Sequence, residues 1–157
     1  MSSAWVEIPR SHFVTICSGD GDASDFCARL PVTLSLSKEL YEVGLHSASI
    51  YRKGDKKAPD GEANPLPTKA QDVLILLDAV ENQIYGSKLL PVVTTVRWDI
   101  NSDLDVNKQP VTFLPLSSQQ ISCIQVTFLD TNFEKLNLSD YTATIQLHFK
   151  LKIEKWK

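Results

Sequence analysis

The chain carries three histidines, His12, His46 and His148, the side chains most often used for acid–base work and metal binding near neutral pH. A histidine-based metal centre in a β-barrel enzyme needs them clustered, with a carboxylate close by. Each of the three falls on a different predicted strand, so no ligand pattern is read from them. His148 lies between Gln146 and Lys150 on a polar strand face and is expected to be solvated. A second candidate is "SGDGDASDF", where Asp20, Asp22 and Ser24 imitate the start of a calcium loop. The sixth and twelfth positions of such a loop need glycine and glutamate, and here they are Asp25 and Pro31. The stretch is therefore read as a connection between strands. Ser35 and Lys38 stand at Ser-x-x-Lys spacing, but the companion motifs of that enzyme class are missing and the segment reads as a strand end. "GSK" at 86–88 has too few glycines to cradle a phosphate, and no Gly-x-Ser-x-Gly elbow occurs. Cys17, Cys27 and Cys123 form no Cys-x-x-Cys pair, and an odd, widely spaced set is neither a disulfide framework nor a zinc site. They are expected to be small buried hydrophobes. No catalytic, cofactor or metal residues are assigned.

The elements that would position any such site are strands. With 157 residues and 43% hydrophobic content, the chain is long enough for one domain with a sizeable core. A net charge of −3 lacks the positive excess of a dedicated nucleic-acid binder. No apolar run is long enough for a membrane helix, so no membrane insertion is expected. The opening "MSSAWVEIPRSHF" has no apolar signal segment, and a reducing compartment is expected.

The dominant period is two. In "YTATIQLHFKLKIE", Ile145, Leu147, Phe149, Leu151 and Ile153 share one face, predicted to be core. "VVTTVRWD" sets Val92, Thr94, Val96 and Trp98 against Val93, Thr95 and Arg97. "DVLILLDA" is a short continuous apolar run, which suits a strand buried on both faces. Strands are predicted near 12–17, 26–36, 40–51, 72–79, 88–99, 109–115, 121–129 and 141–153, with no helical stripe of helix length. Eight strands at short spacing predict an all-β, single eight-stranded jelly-roll β-sandwich over residues 11–157, preceded by an N-terminal arm, 1–10. Residues 52–71 hold three prolines and little apolar content, which predicts a long exposed loop. The middle of "ELYEVGLHSASIY" carries a glycine, Gly44, read as a place where another segment packs closely on a strand.

Several stretches, in order, resemble one family. "FVTICS" at 13–18, "FCARLPVTLSLSKELYEVGLHSASIY" at 26–51 and "VLILLDAVENQIYGSKLLPVV" at 73–93 are similar to its early and middle motifs. "FLPLSSQQISCIQVTFLDTNFEKL" at 113–136 and "ATIQLHFKLK" at 143–152 are similar to its closing part. The family is that of the penton, or minor capsid, proteins of Polinton/Maverick elements, adintoviruses and virophages. The chain departs from it at Leu40–Tyr41, where tryptophan is usual before Glu42, and at "YRKGDKK". The resemblance implies a structural capsid protein of the virion, synthesised and assembled inside the host cell. It implies a homopentamer at each vertex of an icosahedral shell, surrounded by double-jelly-roll major capsid protein, and no catalysis. Trp5 in the arm and Trp156 after the last strand are candidate subunit contacts, because tryptophan is enriched at interface hot spots. The alternative reading is a soluble β-sandwich binding module, lectin- or cytokine-like.

Overall fold

The structure, a computed structural model, describes residues 11–19, 21–52, 70–99, 103–107 and 111–152. Trp5, Ile153 and Trp156 lie outside the described residues, as do Asp20 and positions 53–69 of the expected loop. Arg52 still belongs to the strand before that loop, and Ala70 and Gln71 to the one after it.

All the elements among the described residues are strands: β1 (Ser11–Cys17), β2 (Asp25–Ser35), β3 (Tyr41–Arg52), β4 (Ala70–Leu77), β5 (Gln83–Tyr85), β6 (Lys88–Leu90), β7 (Val92–Asp99), β8 (Leu104–Asn107), β9 (Phe113–Pro115), β10 (Gln120–Leu129) and β11 (Tyr141–Leu151). That makes eleven among the described residues where the sequence predicts eight. The stretch 88–99 is cut in two at Pro91, which has no N–H to give a ladder. Two short strands, β5 and β8, lie in segments that read as connections.

Two antiparallel sheets face each other across one core. The first has the order β1-β11-β3-β8, with β9 pairing a separate stretch of β3. The second has the order β2-β10-β4-β7, and β5 and β6 form a separate hairpin. The core is lined from the first sheet by Val43, Leu45, Ile145, Leu147 and Phe149, and from the second by Val73, Ile75, Ile124, Val126 and Phe128. The predicted core face of β11 is thus found inside as far as Phe149, with Leu151 packed half-buried at its margin.

β4 explains its own sequence. Val73, Ile75 and Leu77 enter the main core, while Leu74 and Leu76 on the other face join Val92 and Leu129 in a smaller cluster. Tyr85, Leu90 and Phe133 cover that second cluster. A continuous apolar run is what a strand covered on both sides requires. The hairpin that covers it turns through Gly86 and Ser87, with Tyr85 opposite Lys88. Gly86 has φ +63°, the left-handed value that the first central position of a type II′ turn demands.

β7 corrects the strict alternation read from its sequence. Ile75 pairs with Thr94 and Leu76 with Val92, so Val93 is a bulge residue. The extra residue reverses the facing of what precedes it. Val93 joins Val96 and Trp98 in the main core, and Val92 turns to the smaller cluster.

Candidate interaction surfaces

The outward face of the first sheet is built by β1, β11 and β3. Phe13 pairs in register with His148, and His148 with Gly44. A second bulge, between the pairs Gln146–Ser47 and Leu147–Leu45, leaves His46 unpaired on β3. Leu45 and Ala48 both stay in the core, so the two residues between them, His46 and Ser47, turn outward together. His46 thereby reaches Phe13, edge to face, at a ring separation of 5.3 Å.

His148 stacks on Phe13 at 4.4 Å, with 17° between the rings, and meets Phe113 edge-on at 5.2 Å. It is therefore not the solvated side chain its polar neighbours suggest. Its Nε2 is buried without a hydrogen-bond partner. Burial holds the imidazole below its ordinary pKa of 6.5, and His46 and Lys150 push the same way. The Lys150 ammonium sits 4.0 Å from the Phe113 ring centre and 3.8 Å from the Glu42 carboxylate. His12 lies on the core side of β1, its ring 6.4 Å from that of Tyr41. The topology thus brings two of the three histidines together, but with aromatic rings and a lysine about them.

Gly44 sits at the centre of this arrangement. A Cβ built there would lie 2.5 Å from Val111 Cγ1 and 2.6 Å from the Thr112 carbonyl oxygen. The segment entering β9 therefore crosses directly over Gly44, and Phe113 pairs with it. The close approach read from the sequence is present.

Two carboxylates of the acidic connection, those of Asp22 and Asp25, are engaged within the fold. Asp22 Oδ1 accepts from the Ser24 N–H at 2.9 Å and from its hydroxyl at 2.7 Å. Asp25 forms an ion pair with Lys135 and accepts from Gln125 Nε2 at 2.8 Å. The hydrogen bond from Lys135, then that from Gln125, holds its carboxyl below the ordinary value of 3.8. Among the described residues no group of three or more His, Cys, Asp or Glu is placed to hold a metal ion. Ser35 ends a strand, and the Lys38 carbonyl accepts from Lys152 Nζ in the turn beyond it. A cleft of about 630 Å³ at that end of the sandwich is polar and open, with Lys38, Glu39, Glu81 and Lys152 in its walls.

Among the described residues the clearest apolar exposure is on the β5–β6 hairpin. Ile84 and Leu89 face each other across it and are 82% and 65% exposed. The opposite face carries Tyr85 and Leu90 and is anchored on the smaller cluster. Phe133 locks the anchor, its ring edge-on to Tyr85 at 6.2 Å. Phe133 itself is held at φ 64°, where the Asp130 carboxylate accepts from the N–H groups of Asn132 and Glu134 on either side. A rigid, solvent-facing aliphatic pair is an economical contact, because little freedom remains to be lost on docking. The sequence signal for it was "YGSK", a two-residue Gly-Ser hairpin turn.

No family model matches the chain, and no curated protein matches it. Among solved structures, the chain is similar to the crystal structure of the selenomethionine-labelled mavirus penton protein, with a TM-score of 0.52 and 8% identity. The match covers 90% of this chain and 99% of that one. The likeness is one of fold: a penton-like antiparallel β-sandwich.

Proposed function

We propose that this chain is the vertex subunit of an icosahedral virus shell, a penton or minor capsid protein of the Polinton, adintovirus and virophage kind. The observation that carries the reading is the reach of the structural likeness, which takes in 99% of the mavirus penton chain. The strand order supports it. β8 and β9 pair successive stretches of β3, so they act as two parts of one interrupted strand. With the β5–β6 hairpin set aside as a cover, eight principal strands remain, four to a sheet. Their path alternates between sheets except from β4 to β7, the path of a jelly roll.

The role is structural and needs no catalysis or cofactor. The subunit works as a homopentamer, seated among double-jelly-roll major capsid proteins at the vertices of the virion. A closed ring of identical chains needs two unlike, complementary surfaces on each. We assign the Ile84–Leu89 ridge to one of them. Trp5 and Trp156, outside the described residues, are the other proposed contacts.

The test is to produce the cognate major capsid protein with and without this chain and to image the particles. The expected result is density at the five-fold positions only when the chain is present. Closed shells with filled vertices in its absence would remove the vertex role. Light scattering on the isolated chain separates the classes further: a five-membered ring supports the vertex reading, and a trimer favours a cytokine-like binding module.

A further inference from the structure

Cys27 and Cys123 are about 96 residues apart in sequence, yet the fold makes them neighbours. In the β2–β10 pairing Cys27 stands opposite Gln125 and Cys123 opposite Arg29, which makes the two cysteines a diagonal pair. Both point away from the core and both are exposed. The neighbouring Cys123 thiol, and then burial, pushes the Cys27 thiol above its ordinary value of 9.0. Next to the pair the ladder is irregular. Ile121 pairs with Leu34 and Cys123 with Arg29, so four residues of β2, Leu30 to Thr33, face only Ser122. The bulge leaves slack beside the thiols, and a diagonal pair needs slack to close to disulfide geometry. It also opens a concavity of about 360 Å³ lined by Arg29, Pro31, Val32 and Cys123. Small oxidants therefore have a way in, past a cation that attracts carboxylates.

We propose that Cys27 and Cys123 are a built redox pair, which a small-molecule disulfide of the glutathione type oxidises to an intrachain cystine. In the first step one cysteine thiolate attacks the oxidant's disulfide, forming a mixed disulfide and releasing one reduced thiol. The second cysteine, as thiolate, attacks the protein sulfur of that mixed disulfide and releases the second. The two cysteines lose two electrons and two protons, and the oxidant gains them as two thiols. The bond ties β2, an edge strand of its sheet, to β10 beside it. Its effect is a lock on that edge once the protein leaves a reducing environment. Cys17 takes no part, because it lies on β1 in the other sheet.

The experiment uses the full chain, reduced and then equilibrated with mixtures of oxidised and reduced glutathione. Expected is a peptide map joining Cys27 to Cys123, with Cys17 separate and, in Cys17→Ser, one product lighter by two hydrogens. Its melting temperature should rise by about 10 °C, since the bond closes a loop of nearly a hundred residues. Cys17→Ser should behave like the parent. Cys27→Ser and Cys123→Ser should each give a glutathione adduct on the remaining partner and no rise. Two separate adducts without a cross-link, or thiols that stay reduced in excess oxidised glutathione, would overturn the pairing. A cross-linked chain that melts no higher than the reduced one would overturn the lock.

Discussion

Gly44→Ala adds one methyl group at the most crowded point of the outer face. The added carbon would lie 2.6 Å from the Thr112 carbonyl oxygen and 2.5 Å from Val111 Cγ1, where real contacts stay beyond 3.0 Å. The oxygen must therefore retreat by at least about 0.4 Å, taking Phe113 and its pairing with Gly44 along. Overpacking of this kind costs about 1–3 kcal/mol. For a domain of this size that is a fall in melting temperature of about 3–10 °C. Urea unfolding followed by circular dichroism should show a lower midpoint and an unchanged slope. Adding Val111→Ala should recover only part of the loss, because a side chain can be trimmed and a backbone carbonyl cannot. Gly21→Ala is the control, since its new carbon meets only the Ser18 carbonyl oxygen, at 3.5 Å, and stability should hold within about 0.5 kcal/mol. A Gly44→Ala variant as stable as its parent, or full recovery by Val111→Ala, would refute the argument.

Phe149→Ala should cost about 3–5 kcal/mol in the same assay, because the ring is fully buried in the main core. Replacing Ile84 and Leu89 together by serine should leave the melting temperature within a few degrees, since both face solvent, while removing the chain from particle vertices; vertices that still fill would clear the hairpin of that role. Stability should fall as pH drops below 6.5, because His148 binds its proton more weakly folded than unfolded. The folded state then gains protons later than the unfolded one, so this contribution is intact above 6.5 and lost as pH falls toward the depressed folded value. Melting curves between neutral pH and pH 5 should show a shallower fall for His148→Gln, and equal slopes would dismiss this histidine as the source.

The parts of the fold legible in the sequence are those where side-chain pattern and burial share one period. β11 alternates without interruption and is buried on the side its pattern predicts, and the unbroken run of β4 matches its two-sided cover. What was not legible depends on pairing. Bulges at Val93 and His46 reset the alternation and leave no mark in residue type. β8 is polar because it lies along the edge of its sheet, so "LDVN" reads as a turn. His148 has polar sequence neighbours, but its surroundings come from Phe13 and Phe113 on other strands. The cysteines were expected inside as small apolar residues; all three are exposed, and only the register of β2 on β10 shows that two of them meet.

The strand order also dictates a timetable. β1 is joined to its sheet only through β11, and β2 to its sheet only through β10. The two strands that join them, β11 and β10, are the last two among the described residues. A ribosome delivering this protein from its N-terminus therefore releases β1 to β9 before either sheet can close. Until then the ladder edges of β1, β2, β3 and β4 stand open, the condition that invites pairing with another chain. Folding must wait for β11, which ends at Leu151, and then proceed through contacts distant in sequence, which are slow to form. A chain cut short before β11 would leave β1 with no partner strand in its sheet, so such copies are barred from the native fold by topology itself.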